Sequence, residues 1–522
     1  MANRDEWPAL GRGVPEQART GVHVRFDAPT PMDRDDGGQR GVPRPRRGVH
    51  FNPVGFAFDQ PRGPPRGQHF PHRRRGRGNR THGTQFTPCR TSSSIPKPRE
   101  LPHLSTSAKR GVDIRQWIVN NNTSNTFRNN STSKRITFRV MSYNVLAQCN
   151  VAEHADLYRG VDNHFLQKTR RKQVLLEEIK LLHPDVFCLQ ECEDDVFTYF
   201  SEMLHADYRG VHAKRGGGKK DGCSVFFKTS KFILDSYQLI DFEREEFGLK
   251  SNAAVICTLQ LKGSNSDGSD IPPKIVVGCI HGLFNPRRGD YKLGQMRVFL
   301  QKIQQTRVRV MEGNGDNPDF KAPHAVITGD FNCSPSSPLY HFLLRGEIDV
   351  SRVDRRFLAG VLAKGEAGEE YGDEFQMLLE TGGYCRDDDE WLEWNKSRGA
   401  KKPHGNPQHR LQEYYWDEEG VRAASGKLPG AIDKTKKDPY YFEHALKGKL
   451  QSCYASLLNG QEPPVTSQHR KFKGTVDYIF HTSGLVTEKV LMPPSKVKNG
   501  TLPTEEFASD HFSIVADFAV SI

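Results

Sequence analysis

Polar side chains recur in this chain where apolar runs stop or are interrupted. They are Asn144 in MSYNVLAQ, Glu191 in FCLQECEDD, His281 in GCIHGLFNP, Asp330 and Asn332 in ITGDFNCSP, Asp477 in GTVDYIF, and the pair Asp510–His511 in FASDHFSI. Burying one carboxylate or imidazole unpaired is costly, so any single one reads most simply as a satisfied structural group. ITGDFNCSP taken alone is a good turn, because Gly, Asp, Asn, Ser and Pro are turn formers. Their recurrence at matching strand positions points instead to a site, because open α/β sheets place their sites at strand ends. The set is rich in carboxylate and amide oxygens, holds two imidazoles, and lacks a Ser or Cys nucleophile with a base partner. Hard oxygen donors favour Mg²⁺ or Mn²⁺ over zinc. Acids and histidines around such an ion suit phosphoester hydrolysis, with the ion offsetting developing charge and a base activating water. Gly216–Gly218 precede Lys219 and Lys220 but lack Walker spacing, so they read as an exposed loop. No dinucleotide cofactor is expected.

The elements that must position these residues are legible as alternating strands and helices. Strands are expected at 136–146, 185–190, 223–228, 253–261, 274–283, 324–329, 474–482 and 512–520, and amphipathic helices at 166–182 and 293–311. That order predicts an α/β core. Residues 134–522 read as one catalytic domain, with a low-complexity acidic and polar insertion at about 355–440. Within the insertion, residues 361–395 hold eleven acidic side chains against Lys364 and Arg386 alone. A loop of that length is unusual inside a compact domain.

Composition separates the rest of the chain from this core. Of 522 residues, only 35% are hydrophobic. Residues 1–110 carry 21 Lys+Arg against 9 Asp+Glu, an excess equal to the whole chain's net charge of +12. The stretch 1–133 is rich in Arg, Gly and Pro, lacks helix or strand periodicity and reads as a disordered basic tail. Its Arg/Gly tracts with interspersed phenylalanines suit RNA phosphate contact and stacking, or equally a solvated tail without a specific partner. The ten cysteines show no Cys-x-x-Cys pair and read as reduced thiols. No apolar run reaches membrane-spanning length, and MANRDEWPALGRG lacks a signal-peptide core, so nucleus or cytoplasm is expected and no membrane.

The ordered motifs SYNVLAQ, LQECEDD, HGLFNPRRGDYKLGQ, GDFNCSPSSPLY, GTVDYIFH and SDHFSI resemble the exonuclease/endonuclease/phosphatase superfamily. More narrowly they resemble its carbon-catabolite-repressor-type deadenylases and their Angel relatives, including plant homologs with an Arg/Gly-rich N-terminus. The likeness covers about 136–350 and 441–520. It implies a four-layer α/β sandwich, two stacked mixed sheets flanked by helices. It also implies Mg²⁺ held by Glu191 with Asn144 beside it and Asp510 completing the metal end. Asp330 and Asn332 would orient or deprotonate water and bind phosphate, Asp477 would hold His511, and His511 would stabilise the phosphoryl centre. His281 would touch the scissile phosphate, and Pro286 and Phe472 would sandwich the terminal base. Cys279-Ile280-His281 departs from the Asn-Thr-His usual before that histidine. The implied activity is Mg²⁺-dependent 3′-to-5′ poly(A) shortening, with the poly(A) 3′ end as substrate and mRNA-decay subunits as candidate partners. The alternatives are an RNA 2′,3′-cyclic phosphatase, a nucleotide phosphatase as in the nocturnins, and a non-catalytic RNA-binding regulator.

Overall fold

The computed structural model describes residues 102–121, 135–244, 246–262, 273–313, 322–351, 353–361, 416–427, 440–446, 448, 450–497 and 500–521. Helix α1 spans Pro102–Asp113 and strand β1 Trp117–Val119. Next come β2 (Arg135–Asn144), α2 (Gln148–Glu153), α3 (Asn163–Leu166), α4 (Lys168–Leu182), β3 (Val186–Gln190) and α5 (Asp194–Met203). They lead into β4 (Tyr208–Lys214), β5 (Gly222–Lys228), β6 (Phe232–Asp241), β7 (Ala253–Leu261), β8 (Lys274–His281), α6 (Gly289–Glu312) and β9 (His324–Asp330). The chain continues through α7 (Pro338–Arg345), β10 (Glu347–Asp349), α8 (Glu418–Ser425), β11 (Tyr441–Glu443), β12 (Leu450–Ser452) and α9 (Cys453–Leu457). It closes with β13 (Ser467–His469), β14 (Phe472–Gly474), β15 (Asp477–Thr482), β16 (Val486–Leu491) and β17 (Ile514–Ser521). No described helix is long and apolar enough to cross a membrane.

Two mixed sheets carry most of these strands, while β10 with β11 and β13 with β14 form separate two-stranded sheets. One mixed sheet is ordered β1–β16–β17–β2–β3–β5–β4 and the other β12–β15–β9–β8–β7–β6. Each contains one parallel pair, β2 with β3 and β8 with β9, among antiparallel neighbours. Side chains alternate across a strand, so β2 sends Val140 into the space between the sheets and Met141 to the outside. Between the sheets Val140, Val186 and Val225 meet Val255, Val277 and Val326. Outside, Met141, Phe187 and Leu189 pack with Val174, Leu175 and Ile179 of α4. On the far face Ile256, Val276 and Ile327 pack with Leu293, Met296 and Phe299 of α6. The result is the expected helix–sheet–sheet–helix sandwich.

Two boundaries move. The tail expected at 1–133 ends earlier, because 102–121 fold as α1 and β1; its remainder, 1–101 and 122–133, lies outside the described residues. Strand β1 pairs antiparallel with β16, Trp117 opposite Leu491. Between the two elements, the buried Arg115 guanidinium donates to Glu178 Oε1 (3.3 Å), Ser513 Oγ (2.8 Å) and the Met492 carbonyl (3.1 Å). Glu178 is itself buried, and burial pushes its carboxyl up. The insertion expected at about 355–440 is ordered at both ends, while 362–415 and 428–439 lie outside the described residues. Helix α8 seats on α6 so closely that a Cβ at Gly294 would lie 2.0 Å from the Ala423 carbonyl oxygen. Strands β4, β6 and β16 were not expected, because their partly polar, partly exposed runs lack a clean two-residue period.

Two expectations for stability follow. A chain beginning at Lys134 leaves Glu178 buried without its cation, so it unfolds with a stability about 3–5 kcal/mol below one beginning at residue 100. Equal denaturant midpoints would contradict that. Burial also pushes the imidazoles of His444 and His481 down to about 4, each bonded to a backbone carbonyl, of Leu343 and Thr482 respectively. Their folded values lie below the unfolded value, so their contribution to stability is present above pH ~6.5 and is lost as pH falls toward 4. Roughly 2 kcal/mol apiece is gone by pH 5. The double variant His444→Gln/His481→Gln therefore shows a shallower drop in melting temperature between pH 7 and pH 5; a drop equal to the parent's would exclude this origin.

Candidate active site

Strand register gathers the predicted residues. In the second sheet His281 lies opposite Asp330, and Asp330 opposite Asp477, so one row across β8, β9 and β15 ends in three polar residues. In the first sheet Asn144 lies opposite Gln190, and Glu191 follows at the end of β3. The two parallel pairs thus present their C-terminal ends together. Glu191 and Asn332 both adopt left-handed backbone, φ +55° and +49°. That conformation is uncommon outside glycine; Glu191 holds it one residue and Asn332 two residues beyond a strand end.

Asp330 is the meeting point. Its Oδ2 accepts from Asn144 Nδ2 at 3.0 Å, and it lies 3.7 Å from His281 Nε2 and 3.8 Å from His511 Nε2. Its Oδ1 accepts the Asn332 amide N–H at 2.9 Å. Both imidazoles therefore approach one carboxylate oxygen without closing a hydrogen bond to it. Asn144 also donates to Glu191 Oε1 (3.2 Å), while its own oxygen is taken by the Leu146 N–H (3.0 Å). Glu191 Oε2 accepts from Ala147 N–H (2.9 Å) and Asn150 Nδ2 (2.7 Å), which aims the other oxygen at Asn144.

The second half of the site is a buried relay. His511 Nδ1 lies 2.9 Å from Asp477 Oδ2, which also accepts from Thr466 Oγ1 at 2.6 Å. Asp477 Oδ1 is buried and has no hydrogen-bond partner. Burial alone would lower the His511 imidazole, but the carboxylates of Asp477, Asp330 and Asp510 outweigh it and hold it well above its ordinary value. Asp510 Oδ2 accepts from the Tyr158 hydroxyl at 3.0 Å.

All of the predicted residues except Asn144 and Asp477 line one cleft of about 190 Å³, and those two sit directly behind it. Pro286 and Phe472 are both on its wall. Asp330, Asp477 and His511 also bring ligand atoms within 4.8 Å of one another. A protonated imidazole bonded to Asp477 is a poor cation ligand, so the hard-oxygen side, Glu191 and Asp510, fits a divalent ion better.

The sequence reading missed Lys292. Its Nζ is buried beneath the site and donates to the Asn332 carbonyl at 2.7 Å, and burial pushes its ammonium down to about 8. Asn332 Nδ2 in turn donates to the Gly282 carbonyl at 3.0 Å. Helix α6 begins at Gly289, four residues before its expected start, and this brings Lys292 onto the face of Met296, Phe299 and Ile303. A lysine at that helical spacing was the available signal. Lys219, read as part of an exposed loop, and Arg215 also line the cleft.

Residues 141–511 match the model of the endonuclease/exonuclease/phosphatase family. The chain is 32% identical over 391 residues to carbon catabolite repressor protein 4 homolog 3 of Arabidopsis thaliana, covering 73% of this chain and 75% of that one. It is 27% identical over 417 residues to protein angel homolog 2 of Mus musculus, covering 74% and 70% respectively. Among solved structures it resembles ANGEL2, a 2′,3′-cyclic phosphatase, in complex with adenosine-2′,3′-vanadate. That match has 26% identity and a TM-score of 0.55, over 78% of this chain and 98% of that one. A match of this extent, on a sandwich whose strand ends meet in one cleft of carboxylates and imidazoles, makes this chain a member of the endonuclease/exonuclease/phosphatase family.

Proposed function

We propose that this chain is a metal-assisted phosphoesterase acting on the 3′ end of RNA, and that its reaction is the stepwise 3′-to-5′ removal of adenylate residues. The observation that carries this reading is the placing of Pro286 and Phe472 on the wall of the cleft that Asp330, His281 and His511 also line. A base held between a proline and an aromatic ring puts its phosphate among acids and imidazoles. A nucleotide end is recognised that way, and a sugar phosphate is not.

In this reading Asp330 orients a water and takes its proton, with Asn332 and the Asn144 amide fixing the carboxylate. The water oxygen attacks phosphorus, and the bond to the 3′ oxygen of the shortened RNA breaks, leaving a nucleoside 5′-phosphate. His281 contacts the phosphate. His511, held by Asp477, presents Nε2–H to the oxygens that gain charge. Mg²⁺ or Mn²⁺, held by Glu191 and Asp510 with Asn144 beside them, would supply further offset of that charge. The non-catalytic alternative is disfavoured because every acid, amide and imidazole of the set is retained.

A second reading is favoured by the likeness to ANGEL2: opening of a terminal 2′,3′-cyclic phosphate. The two differ in product. Incubation with Mg²⁺ of an A-tailed RNA and of an RNA ending in a cyclic phosphate is expected to shorten the first. Loss of the cyclic phosphate at constant length, with the tailed RNA untouched, would replace the first reading by the second. Glu191→Ala is expected to abolish either activity, and full activity in that variant would end both.

Lys292 gives a separate check. Lys292→Met removes the charged hydrogen bond that fixes Asn332, worth about 1.5–3 kcal/mol, so turnover is expected to fall about tenfold or more. It also leaves the buried Asn332 carbonyl without its donor, so the melting temperature is expected to fall as well, and turnover is compared per folded molecule. Undiminished turnover would show that Lys292 does not position the site.

A further inference from the structure

Phe284 leaves β8 three residues after His281 and carries a ring that is 55% exposed, although it lines the cleft. It therefore contributes little to the core. Its ring lies 6.3 Å from the His154 ring, at 38° to it, so His154 supports one side and the rest of the ring stays open. His154 also lines the cleft and follows the last residue of α2. Elsewhere on the cleft wall, Phe472 stands 5.9 Å from His469 at the same 38°. The cleft thus has two histidine–phenylalanine pairs where one terminal base requires only one. Arg215 and Lys219 line the same cleft. Arg215 is fixed by Asp221 (3.2 Å) and the Ser251 carbonyl, and Lys219 pairs with Glu153 at 3.3 Å, so both cations are held at the cleft wall.

We infer that Phe284, backed by His154, is a second base-binding subsite that stacks the penultimate base of the RNA, with Arg215 and Lys219 facing the phosphate beyond it. This rests on RNA being the substrate. It makes the site a reader of at least two nucleotides, so single nucleotides are poor substrates even when their terminal base fits between Pro286 and Phe472. Stacking tolerates any base, so the subsite measures the presence of a neighbour and not its identity.

The test is a cycle between protein and substrate. Hydrolysis of a short A-tailed RNA is compared with that of the same RNA carrying an abasic ribose at its penultimate position, using the full chain and the Phe284→Ala and Phe472→Ala variants. RNAs ending in a 2′,3′-cyclic phosphate are run in parallel. Removing the penultimate base is expected to lower kcat/KM of the parent about 5- to 150-fold, chiefly through KM. Phe284→Ala should show the same loss on intact RNA and no further loss on the abasic RNA. Phe472→Ala should lose activity on both, with the abasic penalty intact. Equal costs of Phe284→Ala on the two RNAs would overturn the subsite while leaving the RNA reading standing. No hydrolysis of any of these RNAs by the parent would overturn that reading, and the subsite with it. Because Phe284 is largely exposed, melting temperatures of the variant should match the parent, which separates loss of stacking from loss of fold.

Discussion

The organisation of this molecule depends on housing a buried carboxyl group, Asp330, at the end of a strand. Asp330 is 2% exposed, and Asp477 and Asp510 are nearly as deep. Such a cluster of acids is tolerable only if cations and N–H donors surround it, because desolvation alone would drive the protons on. The surrounding groups come from separate places: an amide from β2, imidazoles from the ends of β8 and the β17 approach, and a lysine ammonium from α6. Three of them are locked from behind, Asn144 by Leu146, His511 by Asp477 and Lys292 by Asn332. The left-handed residues Glu191 and Asn332 are bends that let strand ends turn into this arrangement. Nothing in either sheet alone would hold it; the site exists because two parallel strand pairs stop at the same edge.

That dependence explains what the sequence could reveal. Asn144, Glu191, His281, Asp330 and Asp477 were visible because each breaks an apolar run, and a strand's two-residue period makes such a break conspicuous. Lys292 was not, because a lysine in an amphipathic helix reads as solvated until the helix start is known to within a turn. Residues 102–121 were hidden for another reason. Their Ser, Lys and Arg content matches a solvated tail, and what folds them is Arg115 reaching Glu178 and Ser513, more than 60 and nearly 400 positions away. Local composition carries no trace of a partner so distant. The ends of the insertion were missed similarly. Arg288 pairs with Asp290 and Glu419, and Arg355 with Asp417, so residues from both sides of the acidic stretch are tied to the start of α6.

Those ties matter for the cleft because of where they attach. Arg288 is two residues beyond Pro286, and the Gly289 N–H donates to the Arg355 carbonyl at 3.1 Å. The loop that carries Phe284 and Pro286 therefore hangs between β8, which fixes His281, and a network that draws on residues flanking the insertion. Tyr291 adds a hydrogen bond to Glu419 at 3.1 Å and a face for the Arg288 guanidinium at 4.2 Å from its centroid. Single exposed pairs contribute little, but a network of several charges around the buried Asp290 is a firmer anchor.

Chemistry and recognition are thus assigned to different kinds of structure. Asn144, His281, Asp330 and Asp477 sit in strand register, where a one-residue slip would turn all four to the other face of their sheets. The aromatic and proline walls sit on loops and on the short strand β14, where changes in length or sequence leave that register intact. A row fixed in this way can present the same attack geometry to phosphates in different substrates. In the proposed reading, which phosphorus–oxygen bond lies in line is decided by how far along the cleft the terminal base is seated. By this logic the difference between trimming a chain and opening a terminal phosphate resides in Pro286, Phe472 and the surfaces beside them, not in Asp330 or its partners.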